Sequence, residues 1–576
     1  MDKRFFLALV LTAIVIVVTP LIFPSANRPV TTVVADSSTR RADSLTRQPA
    51  VTPAGPESSR VLTPPGAVPV AGAGTVSAGL AAPVETTTVR GQRATYAFSS
   101  RGGVPISVEL DSYPSRRPPA GTRKSELVHA RMALTRYRVV IGNDTTALDA
   151  VPLRAQQAAA GQPAAVHYTG EVGGKPLRLD YQFVADSFLL RVRASVAGAP
   201  AGSALLVDLP RTLASNEPDT LDDIGHLAVS YRSVRGDVNS VAFSKLDSAE
   251  TRIVAGPLSW VATRNKYFLV AYRVGEKSPF ATLRLHGAPK HDKVVAEIGA
   301  TAVLPLSADG SASFDVYAGP QDFRLLQKLG SDMDQVNPYG GWLNGVVQPF
   351  STIVMRALLW MRDTTHLNYG WVLVLFGVLI RLALWPLNQG ALRTSMQMQR
   401  LQPELQALQK KYSDDPKRQQ EAIMKVYKEH GMSPLSPLMG CLPMLLPMPI
   451  LFALYHVFQN TVEFRGVSFL WLPDISLRDP YYITPLLMGA SMFLMSWIGM
   501  KGSPPNPQAK MMTYMMPVML TVFFLNFASG LNLYYAVQNV AAIPQQWLLA
   551  RERARNAGTT VAATVHGPSP SARRRT

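Results

Sequence analysis

The chain has 576 residues, 47% hydrophobic and 17% charged, and its 57 Lys and Arg against 39 Asp and Glu leave a formal net charge of +18. Ordinary soluble domains carry about 25% charged residues, so this balance argues against a wholly cytosolic enzyme; the basic excess suits nucleic acid or a membrane protein with basic cytoplasmic loops. The single cysteine, Cys441, excludes an internal disulfide framework and any multi-cysteine zinc or iron–sulfur site.

Residues 1–4 carry Lys3 and Arg4 and precede an uncharged apolar run at 5–23. At 1.5 Å per residue that run rises about 28 Å, close to the roughly 30 Å hydrocarbon core of a bilayer. It predicts a transmembrane anchor with a cytoplasmic N-terminus. Pro24-Ser25-Ala26 is a poor cleavage site, so an uncleaved anchor is preferred to a signal peptide and cleavage stays open. Residues 24–84 are rich in Pro, Ser, Thr, Ala, Val and Gly with few aromatics, which predicts a disordered periplasmic tether.

From 85 to 330 the pattern becomes short alternating runs, such as LRLDYQF at 177–183, LLRVR at 189–193, YFLVAY at 267–272 and ATLRL at 281–285. Period-two alternation broken by Gly, Pro and Asp predicts an antiparallel β-sandwich, with Asp309-Gly310 as a hairpin signal. Residues 331–368 read as a linker plus an interfacial helix at 346–362, where Arg356 and Arg362 interrupt apolar sequence.

Five stretches of 19–21 residues then have the length a bilayer requires: 369–387, 438–458, 481–500, 511–529 and 531–549. The last two are separated by Gly530 and predict a tight helical turn. Segment 388–434 carries eight Lys and Arg, 501–510 carries Lys501 and Lys510, and the 550–576 tail is basic, whereas 459–480 has only Arg465 and Arg478. The positive-inside rule therefore places 388–434, 501–510 and the tail in the cytoplasm, and 459–480 in the periplasm. Six spans leave both termini inside and residues 24–368 largely periplasmic. Within 388–434, Met398, Leu401, Leu405, Leu408 and Tyr412 form a heptad-like seam. Asp415-Pro416 starts a second helix, Ile423, Val426 and His430 continue the seam, and together these predict a helical hairpin.

No phosphate loop, zinc-protease or nucleophile-elbow motif occurs, so no catalytic residue, cofactor or metal is expected. Arg381 is the outlier. It lies six residues, about 9 Å, from the cytoplasmic end of its span, and no acidic residue occupies any other span. Its stem could snorkel to the surface, but a water-filled recess explains it better once Asn532, Gln538, Asn539, Gln545 and Gln546 are seen in the last span. Asn532, Tyr535 and Asn539 share one helical face, with Tyr534 beside them; the stripe could equally hydrogen-bond neighbouring helices. Thirteen of the 21 methionines fall between Met432 and Met519, interleaved with Pro443, Pro447, Pro449 and Pro517, a pattern suited to varied apolar segments or to ordinary packing.

Three blocks carry a resemblance: GCLPMLLPMPILFALYHVF at 440–458, DPYYITPLLMGASMF at 479–493 and MMPVMLTVFFLNFASGLNLYYAVQN at 515–539. They resemble the YidC-type membrane protein insertases, and WVATRNKYFLVAY at 260–272 with DVYAGPQDFRLLQKLG at 315–330 resembles the large periplasmic domain of the Gram-negative branch. The resemblance implies a β-supersandwich outside the membrane. It also implies insertion of nascent inner-membrane proteins, alone or with the Sec translocon, through a hydrophilic groove open to cytoplasm and lipid. Carried over by position, Arg381 with Asn532, Tyr535, Gln538 and Asn539 would line the groove. Met448, Pro449, Leu451, Phe523 and Tyr534 would form an apolar slide. Ribosomes or targeting factors would meet the 388–434 hairpin and the tail, membrane lipids would surround the spans, and no specific DNA is implied. Gly377 and Pro447 stand where the family commonly has polar residues. A small-molecule transporter is the alternative, weakened by the lack of an acidic coupling residue and of clear inverted repeats. A structural envelope anchor is a further alternative, one in which deleting 85–330 would abolish function.

Overall fold

The computed structural model describes residues 84–118, 123–130, 132–158, 163–289, 295–337, 344–386, most of 401–412, 415–430, 448–501 and 507–565. The 5–23 anchor, nearly all of the 24–84 tether, Cys441 and the end of the basic tail lie outside the described residues.

Between Thr86 and Pro320 the alternating runs become strands, all paired antiparallel. Among the described residues four of them (Thr86–Arg90, Ala94–Ser99, Val104–Pro114 and Lys124–Glu126) form one sheet, and fourteen form a second. In Lys175–Phe183, Leu177, Leu179 and Tyr181 are buried while Pro176, Arg178 and Gln182 face out; in Leu189–Val196, Leu190, Val192 and Ala194 are buried and Arg191 and Arg193 face out. Such one-sided burial is what alternation encodes. The run Phe268–Tyr272 is buried at every position because its strand pairs on both edges, with Thr251–Arg264 and Ser311–Pro320, and is covered on both faces. Phe98 of the small sheet meets Tyr181 of the large one at 4.9 Å between ring centroids, and Tyr96 meets Phe183 at 5.2 Å. The two sheets thus share one core, a β-sandwich.

The hairpin expected at Asp309-Gly310 is corrected by the strand order. Ile298–Pro305 pairs with Ala204–Asp208 and Phe280–Gly287, whereas Ser311–Pro320 pairs with Leu189–Val196 and Phe268–Arg273. The dipeptide turns the chain between distant parts of the sheet. Gly310 is required there for two reasons: its φ is +74°, and a Cβ would stand 2.2 Å from the Val196 carbonyl oxygen.

Among the described residues nine helices can be numbered in chain order: α1 (Thr220–Gly225), α2 (Phe323–Leu329), α3 (Asn344–Thr365), α4 (Tyr369–Ala383), α5 (Pro416–Glu429), α6 (Met448–Asn460), α7 (Ile483–Met500), α8 (Pro507–Phe524) and α9 (Ser529–Val565). Asp415 caps α5 by accepting from the Lys417 and Arg418 N–H groups, both at 3.2 Å, with Pro416 in the first turn. Leu401, Leu405 and Leu408 pack with Ile423, Val426 and Tyr427. Helix α3 buries Val354, Met355, Leu358 and Leu359 and exposes Phe350, Ile353 and Trp360, the one-sided burial of an amphipathic helix.

Among the described residues one helix, α7, is by itself long and apolar enough to cross a bilayer. Val347–Thr365 and Tyr369–Ala383 are long and apolar enough only when taken together, and they are bent by 117°; Thr513–Phe524 is a shorter apolar helix. The turn between the last two helices falls at 525–528, before Gly530. Tertiary bonds set it: the Asn532 side chain donates to the Phe524 carbonyl (3.1 Å), and the Ser529 and Gly530 N–H groups donate to the Leu477 and Ile475 carbonyls (2.7 and 2.9 Å).

Helices α3, α4, α6 and α9 converge on Leu358, Phe376, Leu454, Phe458 and Leu531. Segment 461–482 is built into this core: Asp474 accepts from Gly466 and Ser476, and Asp479 accepts from Tyr481, Thr484 and the Trp471 indole. At the start of α4 a Cβ on Gly370 would lie 2.0 Å from the Phe469 ring. Gly370→Ala should therefore lower stability by about 1–3 kcal/mol, despite the better helix propensity of alanine, because the ring must shift in a packed core. Thermal unfolding in detergent checks this; a variant as stable as the parent would mean the ring moves freely.

Candidate functional site

Arg381 sits in the last turn of α4, on the side that packs against α9. Tyr534, Gln538 and Gln545 follow at i, i+4 and i+11 along α9 and meet α4 in turn. The Tyr534 ring stands 6.0 Å from Phe376. Gln538 Nε2 donates to the Gly377 carbonyl at 2.9 Å and to the Tyr534 hydroxyl at 3.0 Å. Arg381 Nη2 donates to Gln545 Oε1 at 2.7 Å. Among the described residues this neutral amide is its only hydrogen-bond partner, and Arg381 Nε is buried with none. A guanidinium in that setting keeps its whole charge and several free donors.

The other polar residues of α9 engage different neighbours. Asn532 is fully buried and holds the Phe524 carbonyl, while Asn539 Nδ2 donates to the Met488 carbonyl (3.3 Å) and the Ser491 hydroxyl (3.2 Å) on α7. The Tyr535 ring lies 5.7 Å from Phe524 on α8. The structure therefore brings Arg381, Tyr534 and Gln538 onto one helix pair and directs Asn532, Tyr535 and Asn539 towards α7 and α8. Gln545, not chosen from the sequence as a site residue, is the one that touches Arg381. Its signal was there: it continues the Tyr534–Gln538 face two turns on.

Of the apolar candidates, Phe523 is 60% exposed and lies on a face of α8 with Met515, Val518, Met519 and Val522, all exposed. Its ring continues through Phe527 (5.0 Å) to Tyr455 on α6 (5.2 Å from Phe527), so α8 and α6 share an apolar surface. Leu451 is half-buried on α6 against the helical core. Met448 and Pro449 open α6, and their side chains lie outside the described residues. Among the described residues no group of three or more His, Cys, Asp or Glu side chains is placed to hold a metal ion.

The chain matches the family model described as 60Kd inner membrane protein over residues 360–556, and the model described as YidC periplasmic domain over residues 86–353. A relative from Azotobacter vinelandii named membrane protein insertase YidC is 30% identical over 508 residues, covering 84% of this chain and 88% of its own length. A relative of the same name from Nitratidesulfovibrio vulgaris is 33% identical over 414 residues, covering 68% of this chain and 72% of its own. Among solved structures, an active YidC insertase with its first transmembrane domain resolved aligns over 81% of this chain and 94% of that one, at 19% identity and a TM-score of 0.33. With one model over the β-sandwich, one over the helices, and a relative aligned along most of both chains, this chain belongs to the YidC family of membrane protein insertases.

Proposed function

We propose that the chain inserts hydrophobic segments of nascent inner-membrane proteins into the bilayer, with Arg381 in a polar recess between α4 and α9 and the exposed face of α8 as the exit surface. The carrying observation is that the Arg381 guanidinium has a neutral partner and spare donors. A polar segment entering hydrocarbon unaided suffers a large desolvation penalty. A recess reaching part-way through the membrane shortens the apolar distance, and a fixed positive charge in it attracts acidic segments. Apolar segments then leave sideways along Phe523 and its neighbours, where lipid burial stabilises them by about 25 cal/mol per Å².

The proposal includes a six-span topology with 5–23 as the first span, both termini in the cytoplasm and the β-sandwich outside. Residues 388–434 form a cytoplasmic hairpin which, with the basic tail, receives ribosomes or targeting factors. The chain acts alone or beside the Sec translocon, also as a chaperone for its clients. Basic residues in those segments support this orientation.

The test is Arg381→Ala in cells, with two clients that differ only in whether the translocated tail carries Asp and Glu. A single charge pair at close range is worth about 1–4 kcal/mol outside the deep interior, so the ratio of acidic-tail to uncharged-tail insertion should fall about tenfold or more. An unchanged ratio at normal protein level would remove Arg381 from the mechanism. Site-specific photocrosslinking from positions 381, 448 and 535 to a nascent client tests the path independently.

A further inference from the structure

Gln545 offers Arg381 a single acceptor. The residue is 2% exposed, its Oε1 accepts from Arg381 Nη2 at 2.7 Å, and its own Nε2 is buried with no partner among the described residues. Arg381 Nε is likewise buried with no partner among the described residues. Buried polar atoms are almost always satisfied, so two orphan donors on one contacting pair point to an acceptor that arrives from outside. What the pair lacks is negative charge and oxygen; a carboxylate supplies both and is acceptor-only.

The choice of amide at 545 also matters for charge. A Glu there would form a charge-assisted pair with the guanidinium and cancel its field. An apolar residue would leave the guanidinium without a fixed partner. The amide orients the charge without neutralising it.

We propose that Gln545 is a positioning and selectivity residue. It holds the Arg381 guanidinium with a neutral acceptor and, with its own free N–H groups, completes a donor set for Asp or Glu side chains of the segment being translocated. This rests on the reading of Arg381 given under Proposed function. Among the described residues Gln545 is the one hydrogen-bond partner of Arg381, and Gln538 turns its Nε2 to the Gly377 carbonyl and the Tyr534 hydroxyl.

The experiment uses the full chain in cells with the same pair of clients, reading insertion together with protein abundance. Gln545→Glu should lower the ratio of acidic-tail to uncharged-tail insertion about tenfold, because it neutralises the attracting charge. Gln545→Met, of similar length but without acceptor or donor, should lower that ratio about threefold, the scale of one lost hydrogen bond. In the Arg381→Ala background, Gln545→Met should lower the ratio no further than Arg381→Ala alone. A purely structural Gln545 would instead lower both clients together in both variants and leave the ratio unchanged, which overturns the proposal. If Gln545→Glu fails to accumulate, the Met variant carries the test by the same ratio. If Arg381→Ala shifts the ratio and neither Gln545 variant does, only this inference fails; if Arg381→Ala itself leaves the ratio unchanged, the underlying reading fails.

Discussion

Arg465→Ala is expected to lower stability by about 3–5 kcal/mol, because it strands a buried carboxylate. Arg465 Nε lies 2.7 Å from Glu217 Oε1, with the two side chains only 3% and 7% exposed. The guanidinium also donates to the Pro114 carbonyl at 3.0 Å and the Asn216 carbonyl at 3.4 Å, and stands over the Phe268 ring at 5.3 Å. Burial pushes the Glu217 carboxyl up, and the Arg465 charge and hydrogen bond pull it back. Without Arg465 the carboxyl must either take a proton or stay charged in the interface. This pair joins the β-sandwich to segment 461–482, beside a second link between the Tyr267 hydroxyl and Ser476 Oγ at 3.3 Å. The loss should therefore show as a lower unfolding midpoint in detergent and as faster proteolysis between sandwich and helices. Arg465→Met combined with Glu217→Gln should recover most of the stability, since a paired replacement leaves no orphan charge. A single variant as stable as the parent would show that the pair carries no net energy.

Nothing near Arg465 in the sequence announced this role. There it was one of two positive charges in a short loop, and its partner lies 248 residues away. The strands were legible because one-sided burial writes itself as alternation, as at 177–183 and 189–193. The Asp415-Pro416 helix start was legible because a cap is local chemistry. Asp309-Gly310 misled because a turn signal specifies how the chain bends and not which strands then pair. The 525–528 turn was displaced from Gly530 by carbonyls of 475 and 477, groups no local window contains. The site divides the same way. Arg381 stood out by its charge within an apolar span, whereas the two faces of α9 carry similar polar residues. Only the packing of α4, α7 and α8 assigns Gln545 to Arg381 and Asn539 to Ser491.

Glu463 gives the second large effect, one that depends on pH. It lies on the 3-10 turn Val462–Phe464, where Oε1 accepts from the Phe323 N–H at 3.1 Å and Oε2 is buried with no partner among the described residues. Burial pushes its carboxyl up to about 8, and the nearby Asp322 adds to the shift; the Phe323 N–H and Arg324 oppose it without prevailing. Tyr113 and Tyr369 also face it and are neutral over the range concerned. The folded state therefore holds a proton that the unfolded chain releases near its ordinary value of 4.5. Stability from this group is fully present below about pH 4.5, declines as pH rises, and is lost on passing pH 8. At 1.36 kcal/mol per pKa unit the whole effect is on the order of 4–5 kcal/mol. Glu463→Gln keeps an acceptor for Phe323 and cannot ionise. It should match the parent near pH 4.5 and exceed it increasingly up to pH 9, as read from unfolding midpoints of both proteins in the same detergent. A gap that stays constant across that range would mean that Glu463 is charged in the folded protein throughout, with water or a cation reaching Oε2.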